Sequence, residues 1–96
     1  MSNTEEKKYY VTRVEWTEHE RGWGQRFDGY SYHLNEEYAK KYIREFIATI
    51  SGPAPDCYVS PGTPRIIQVD PLFAMLVYDK EILWDDKNHE TLDDNF

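Results

Sequence analysis

Residues 35–50 carry the pattern that most restricts this chain. Tyr38, Ala39, Tyr42, Ile43, Phe46, Ile47 and Ile50 recur at spacings of three and four, which draws one apolar stripe along a helix. Asn35 is a suitable N-cap, Glu36 and Glu37 sit where the helix dipole favours acids, and Lys40, Lys41 and Arg44 follow. Ser51-Gly52-Pro53 supplies the stop. A stripe of this kind is core packing, because a helix alone cannot bury it, and the strands around it must provide the opposing surface.

The preceding residues supply such strands. From Lys8 to Trp16 the chain alternates, with Tyr10, Val14 and Trp16 around Thr12 on one face and Tyr9, Val11, Arg13 and Glu15 on the other. Gln25 to Leu34 reads as a second strand interrupted at Asp28-Gly29, and a bulge or turn there places Tyr30, Tyr32 and Leu34 together. The two form an antiparallel hairpin. Residues 52–64, GPAPDCYVSPGTP, hold four of the five prolines and read as an ordered connection, with Tyr58 and Val59 holding it down. Arg65–Val69 is a third strand, and Asp70-Pro71 pairs an N-cap with proline at the first helical position, opening a second helix from Leu72 to about Tyr78. Ile82, Leu83 and Trp84 return as a last strand or pack as an extended arm. The expected fold is therefore α+β: a small antiparallel sheet in the order strand, strand, helix, strand, helix and a last strand, with one main amphipathic helix on one face. Few elements remain for the other face, which is left to solvent or to a partner.

At 96 residues there is room for one core. Residues 1–84 read as a single domain and 85–96 as an acidic, flexible tail. Of the formal net charge of −7, the residues from Asp79 onward account for −5, since seven acids there face only Lys80 and Lys87. A charge of this sign disfavours direct binding to duplex nucleic acid. Cys57 is the single cysteine, so no intrachain disulfide stabilises the domain, and a reducing cytoplasm is the expected location. The N-terminal residues have no apolar run of signal-peptide length, and no stretch is long enough to span a membrane.

Chemistry concentrates between Glu20 and His33, ERGWGQRFDGYSYH, which holds two Arg, three Gly, Trp23, Phe27, two Tyr and a His. Glycines allow close backbone approach, guanidinium groups bind phosphate or carboxylate, and aromatic rings stack on bases. Arg21, Trp23, Arg26, Tyr30 and His33 are the candidate partner- or ligand-binding residues. The competing explanation is a hairpin whose glycines satisfy turn geometry and whose rings complete the core. GWG lacks the spacing of a phosphate loop or of the dinucleotide fingerprint. His19, His33, His89 and Cys57 have no metal-ligand spacing, and no nucleophile with its base and orienting group can be read off, so neither cofactor, metal nor catalysis is expected.

The ERGWG stretch followed closely by DGYS and a helix resembles small phage- and prophage-type proteins over roughly the first half of the chain. No established activity comes with that group, so no catalytic residue carries over. The resemblance implies a mobile-element accessory protein. Together with acidity and an aromatic content of 16%, it favours a non-enzymatic inhibitor or adaptor, of anti-defence or host-takeover type, that occupies a host protein. The alternative is a module that binds or sequesters a small nucleotide through the first hairpin.

Overall fold

The computed structural model of the chain describes residues 7–20, 22, 24–49 and 57–91. Its elements are β1 (Tyr9–Glu20), β2 (Gly24–His33), α1 (Glu36–Ala48), β3 (Cys57–Pro61), β4 (Arg65–Val69), α2 (Pro71–Lys80) and β5 (Ile82–Asp85). They build an α+β domain around one antiparallel five-stranded sheet. β1 is its centre. β2 pairs along one side of it, while β3 and β4 share the other, β3 beside Trp16–Glu20 and β4 beside Tyr9–Arg13. β5 completes the sheet against Tyr30–His33 of β2.

Residues 57–61, expected within a connection, thus form an edge strand. A proline is tolerated there because an edge strand need not donate on its outer side. Pro61 closes β3 opposite Trp16. Between β3 and β4 the chain stays in touch with β1 through the Gly62 N–H, which donates to the Glu15 carbonyl at 2.7 Å. A Cβ at Gly62 would stand 3.3 Å from that same oxygen, so the contact favours glycine.

The Asp28-Gly29 interruption is a β-bulge. Trp16 faces Gly29 and Thr17 faces Phe27, leaving Asp28 as the extra residue. Gly29 has φ 149°, a conformation that residues with a side chain rarely adopt.

Strict alternation along β1 sends apolar residues to both faces, and each face receives a helix. Val14 and Trp16 lie under α1, against Ala39, Tyr42, Ile43 and Phe46. Val11, with Tyr32, Ile67 and Val69, lies under α2 against Phe73, Ala74 and Val77. The second face is therefore covered by α2 rather than left open. The α1 stripe is narrower than its sequence suggests. The Asn35 side chain caps it, accepting from the Tyr38 N–H at 2.9 Å, and the helix ends at Ala48. Its packing centres on the fully buried Trp16 ring, which Phe46 meets at 4.8 Å and Tyr42 edge-on at 6.2 Å. Tyr38 and Ile47 flank that contact and stay exposed, and Phe46 is half-buried. Ile50 and the Ser51-Gly52-Pro53 stop lie outside the described residues. The α2 start is as expected: Asp70 caps it, accepting from the Leu72 N–H at 3.0 Å, and Pro71 occupies its first turn.

The domain does not end at Trp84. Asp85 belongs to β5, and residues 86–91 run back across the α2 face. There the Tyr32 hydroxyl donates to the Lys87 carbonyl at 2.6 Å and accepts from the His89 N–H at 3.0 Å. The His89 ring stacks on Phe73 with centroids 3.8 Å apart. Arg13, almost wholly buried, bonds Asn88 and pairs with Glu90 at 3.5 Å while its guanidinium lies 4.7 Å above the Tyr30 ring. Thr91 closes the segment through its N–H on the Gln68 carbonyl at 2.8 Å. Acid content alone suggested a solvated tail, but Glu90 is needed by a buried cation. The remaining tail, 92–96, lies outside the described residues.

Tyr32→Phe keeps the ring and removes both hydrogen bonds to residues 87–89. It is expected to lower stability by about 1–3 kcal/mol in urea melts, because the Lys87 carbonyl and the His89 N–H lose a partner in a part-buried setting. Truncation after Trp84 removes the whole strap and leaves Arg13 unpaired, so it is expected to cost more than the point substitution. Equal stability of the truncated and full chains would contradict this account of the C-terminal segment.

Candidate functional site

The bulge decides what becomes of the first hairpin. Cross-strand neighbours share a face, so Arg26 opposite Glu18 and His33 opposite Thr12 lie on the α1 side. Tyr30 opposite Glu15 and Phe27 opposite Thr17 lie on the α2 side, and their rings meet at 4.8 Å. Arg26 is exposed and engaged by Glu18 at 2.7 Å. Tyr30 packs under the Arg13 guanidinium, and His33 is buried. Arg26 and His33 share a face but stand about 20 Å apart along the strand. Arg26, Tyr30 and His33 thus do not converge on one ligand. Arg21 and Trp23 lie outside the described residues.

A different polar arrangement emerges under α1. Trp16 Nε1 donates to Ser31 Oγ at 2.8 Å, and Ser31 Oγ is 2.7 Å from His33 Nε2. The indole nitrogen is only a donor. Ser31 therefore accepts from it, and the acceptor within reach of the hydroxyl proton among the described residues is His33 Nε2. His33 is left as the tautomer with its proton on Nδ1, and burial pulls its pKa down from 6.5 to about 4, so it is neutral at pH 7. A serine bonded to a histidine matches the spacing of a nucleophile and its base. Ser31, however, has no accessible surface, and its other partner is an indole, so the pair ties β1 to β2 instead of attacking a substrate.

The second feature is the outer side of α2. Its inner stripe, Phe73, Ala74 and Val77, is buried. On the other side Leu72 is 79% exposed, Met75 50% and Leu76 49%. Spaced by three and four, these three form one apolar ridge. Sequence reasoning missed it, although the signal is present in PLFAMLVY, where eight successive positions offer hardly any polar face for solvent. A helix on the outside of a small sheet can bury only one stripe, so the surplus apolar residues had to emerge.

Among the described residues no group of three or more His, Cys, Asp and Glu is placed to hold a metal ion, and no helix is long and apolar enough to cross a membrane. No protein-family model, no curated protein and no solved structure matches the chain.

The neutral state of His33 has a measurable consequence. A histidine whose pKa is lower folded than unfolded contributes stability above its unfolded value, and that contribution is lost as pH falls. Lowering the pH from about 7 to about 4 is expected to remove on the order of 3 kcal/mol through this residue. Urea melts across that range, compared with nuclear magnetic resonance titration of the His33 ring, check it. A ring that titrates near its ordinary value of 6.5 in the folded protein would contradict the assignment.

Proposed function

We propose that this chain is a non-enzymatic binding protein that seats the outer ridge of α2 in an apolar groove of a basic partner protein. The observation that carries this reading is the exposure of Leu72, Met75 and Leu76 on a helix whose opposite stripe is already buried. Fully burying a side chain of this size is worth about 1.5–3 kcal/mol, roughly half of which is still available at Met75 and Leu76 and most of it at Leu72. Presentation at i, i+3 and i+4 suits the helix-in-groove mode of recognition. The net charge of −7 favours encounter with a cationic partner and opposes pairing with a second copy of the same chain. An inhibitor or adaptor of phage type is the form of this function that the ERGWG and DGYS resemblance supports.

The test places a photo-crosslinking residue at Met75 of the full chain, with the same residue at the exposed Ile47 of α1 as control, in extract of the source cells. The partner found by mass spectrometry is then purified and titrated against Leu72→Ser and Leu76→Ser. Affinity is expected to fall by about 2 kcal/mol or more in at least one variant. Stability should hold within about 0.5 kcal/mol for Leu72→Ser, whose side chain is largely in solvent, and within about 1 kcal/mol for the half-exposed Leu76→Ser. Association should also slow as salt is raised. Crosslinks from Met75 only to other copies of the chain, or affinity unchanged in both variants, would overturn the reading.

A further inference from the structure

A cavity of about 370 Å³ opens between α1 and the junction of α2 with β5, on the opposite side of the sheet from the Tyr32 core. Its lining brings together side chains distant in sequence: His33 from β2, Tyr38, Lys41, Tyr42 and Glu45 from α1, and Glu81 and Ile82 from the α2–β5 junction. The volume lies in the range of small-molecule sites.

His33 is the polar group that makes this more than a crevice. The residue is 1% exposed. Its Nε2 is committed to Ser31, while Nδ1 has no hydrogen-bond partner among the described residues. No fully buried polar side-chain atom among the described residues lacks a partner, so Nδ1 belongs to the small accessible part of the ring, and His33 lines the cavity. With the proton on Nδ1, the cavity receives one fixed N–H donor.

The rest of the lining restricts what that donor can meet. The Tyr38 and Tyr42 rings and Ile82 give apolar and aromatic walls suited to a flat body. Glu45 and Glu81 supply acceptors for N–H groups, and two carboxylates against the single Lys41 make the mouth unfavourable to phosphate. Glu81 is also the one non-glycine residue at positive φ among the described residues, 67°, in a helix-ending position that glycine usually fills. It is held there by its N–H on the Val77 carbonyl and by the Leu34 N–H on its own carbonyl. A carboxylate is thus kept beside the cavity at a conformational cost.

We infer that this cavity binds a nucleobase or uncharged nucleoside, its ring against Tyr38 and Tyr42, a ring acceptor on His33 Nδ1–H and an amino group toward Glu81 or Glu45. A planar ring carrying both an acceptor and N–H donors matches all three kinds of lining. Such a ligand carries no phosphate for the glutamates to repel. The site uses none of the α2 ridge, so it stands or falls independently of the protein-binding function.

Calorimetric titration of the full chain with adenosine, cytidine, guanosine and adenosine monophosphate tests this. At least one nucleoside is expected to bind, with the monophosphate roughly fivefold or more weaker than adenosine if adenosine is the one bound. Tyr38→Ala removes an exposed ring and should weaken binding about tenfold or more. Glu81→Gly should weaken it about tenfold while raising the melting midpoint, since glycine relieves the left-handed conformation. That opposite movement of affinity and stability is what a merely structural Glu81 would not give. Absence of binding by every nucleoside up to its solubility would overturn the inference, as would wild-type affinity in both variants or a monophosphate bound as tightly as its nucleoside.

Discussion

The indole N–H of Trp16 has to be satisfied inside the protein, and much of the α1 side follows from how that is done. Trp16 provides the large ring on which α1 rests, so the helix cannot dock without burying it. An indole donor left without an acceptor in that position would cost about 1–3 kcal/mol. Ser31, across the strand, accepts that hydrogen bond and donates its own hydroxyl hydrogen bond to His33. The same short chain of contacts therefore locks β1 to β2 and fixes the tautomer of a buried histidine that lines the neighbouring cavity. The α2 side is organised by a second hydroxyl. Tyr32 is placed by alternation on the opposite face of β2, and burial pushes its pKa up to about 12. It stays protonated and can go on donating to the segment that closes the fold.

The elements written in local pattern were legible. The Asn35 cap, the Asp70-Pro71 start, the two faces of β1 and an interruption at Asp28-Gly29 all depend on residues within a few positions of one another, and the sequence states them directly, although the choice of bulge over turn comes from the register. What could not be read were the features set by residues far apart. Prolines argued against a strand at 57–61 because nothing local says that this segment occupies an edge. The run of acids after Asp79 resembled a solvated tail because the need of buried Arg13 for Glu90 is visible only once β1 and the C-terminal segment are neighbours. The candidate hairpin site was assembled from residues close in sequence, yet the extra residue Asp28 switches faces between Arg26 and Tyr30. Alternation already sets Tyr30 and His33 on opposite faces, and the inserted residue then parts Arg26 from Tyr30 as well. The cavity, by contrast, draws on residues as far apart as His33 and Ile82, which no spacing rule connects.

The two helices take diagonal positions, α1 above the Trp16 half of one face and α2 above the Val11 half of the other. Each helix covers only part of its face. This leaves Tyr10 and Ile66 exposed on the α1 side and Phe27 exposed on the α2 side. Apolar surface on this protein is thus distributed in several small patches, and the α2 ridge stands out because its three residues are contiguous on one rigid element.

An open antiparallel sheet also invites a different kind of encounter, in which a neighbouring chain adds a strand and growth continues. The break between β3 and β4 works against it. That edge of the sheet is divided into two five-residue pieces separated by Gly62 and bounded by Pro61 and Pro64, so a foreign strand would find no continuous ladder to copy. On the other side β5 offers only four residues, and the part of β2 beyond it carries the bulge and Gly29. The chain can therefore display apolar side chains on α2 for a partner while its strand edges remain poor templates for polymerisation. Changing Pro61 or Pro64 to a β-branched residue would lengthen the continuous edge and remove part of that protection.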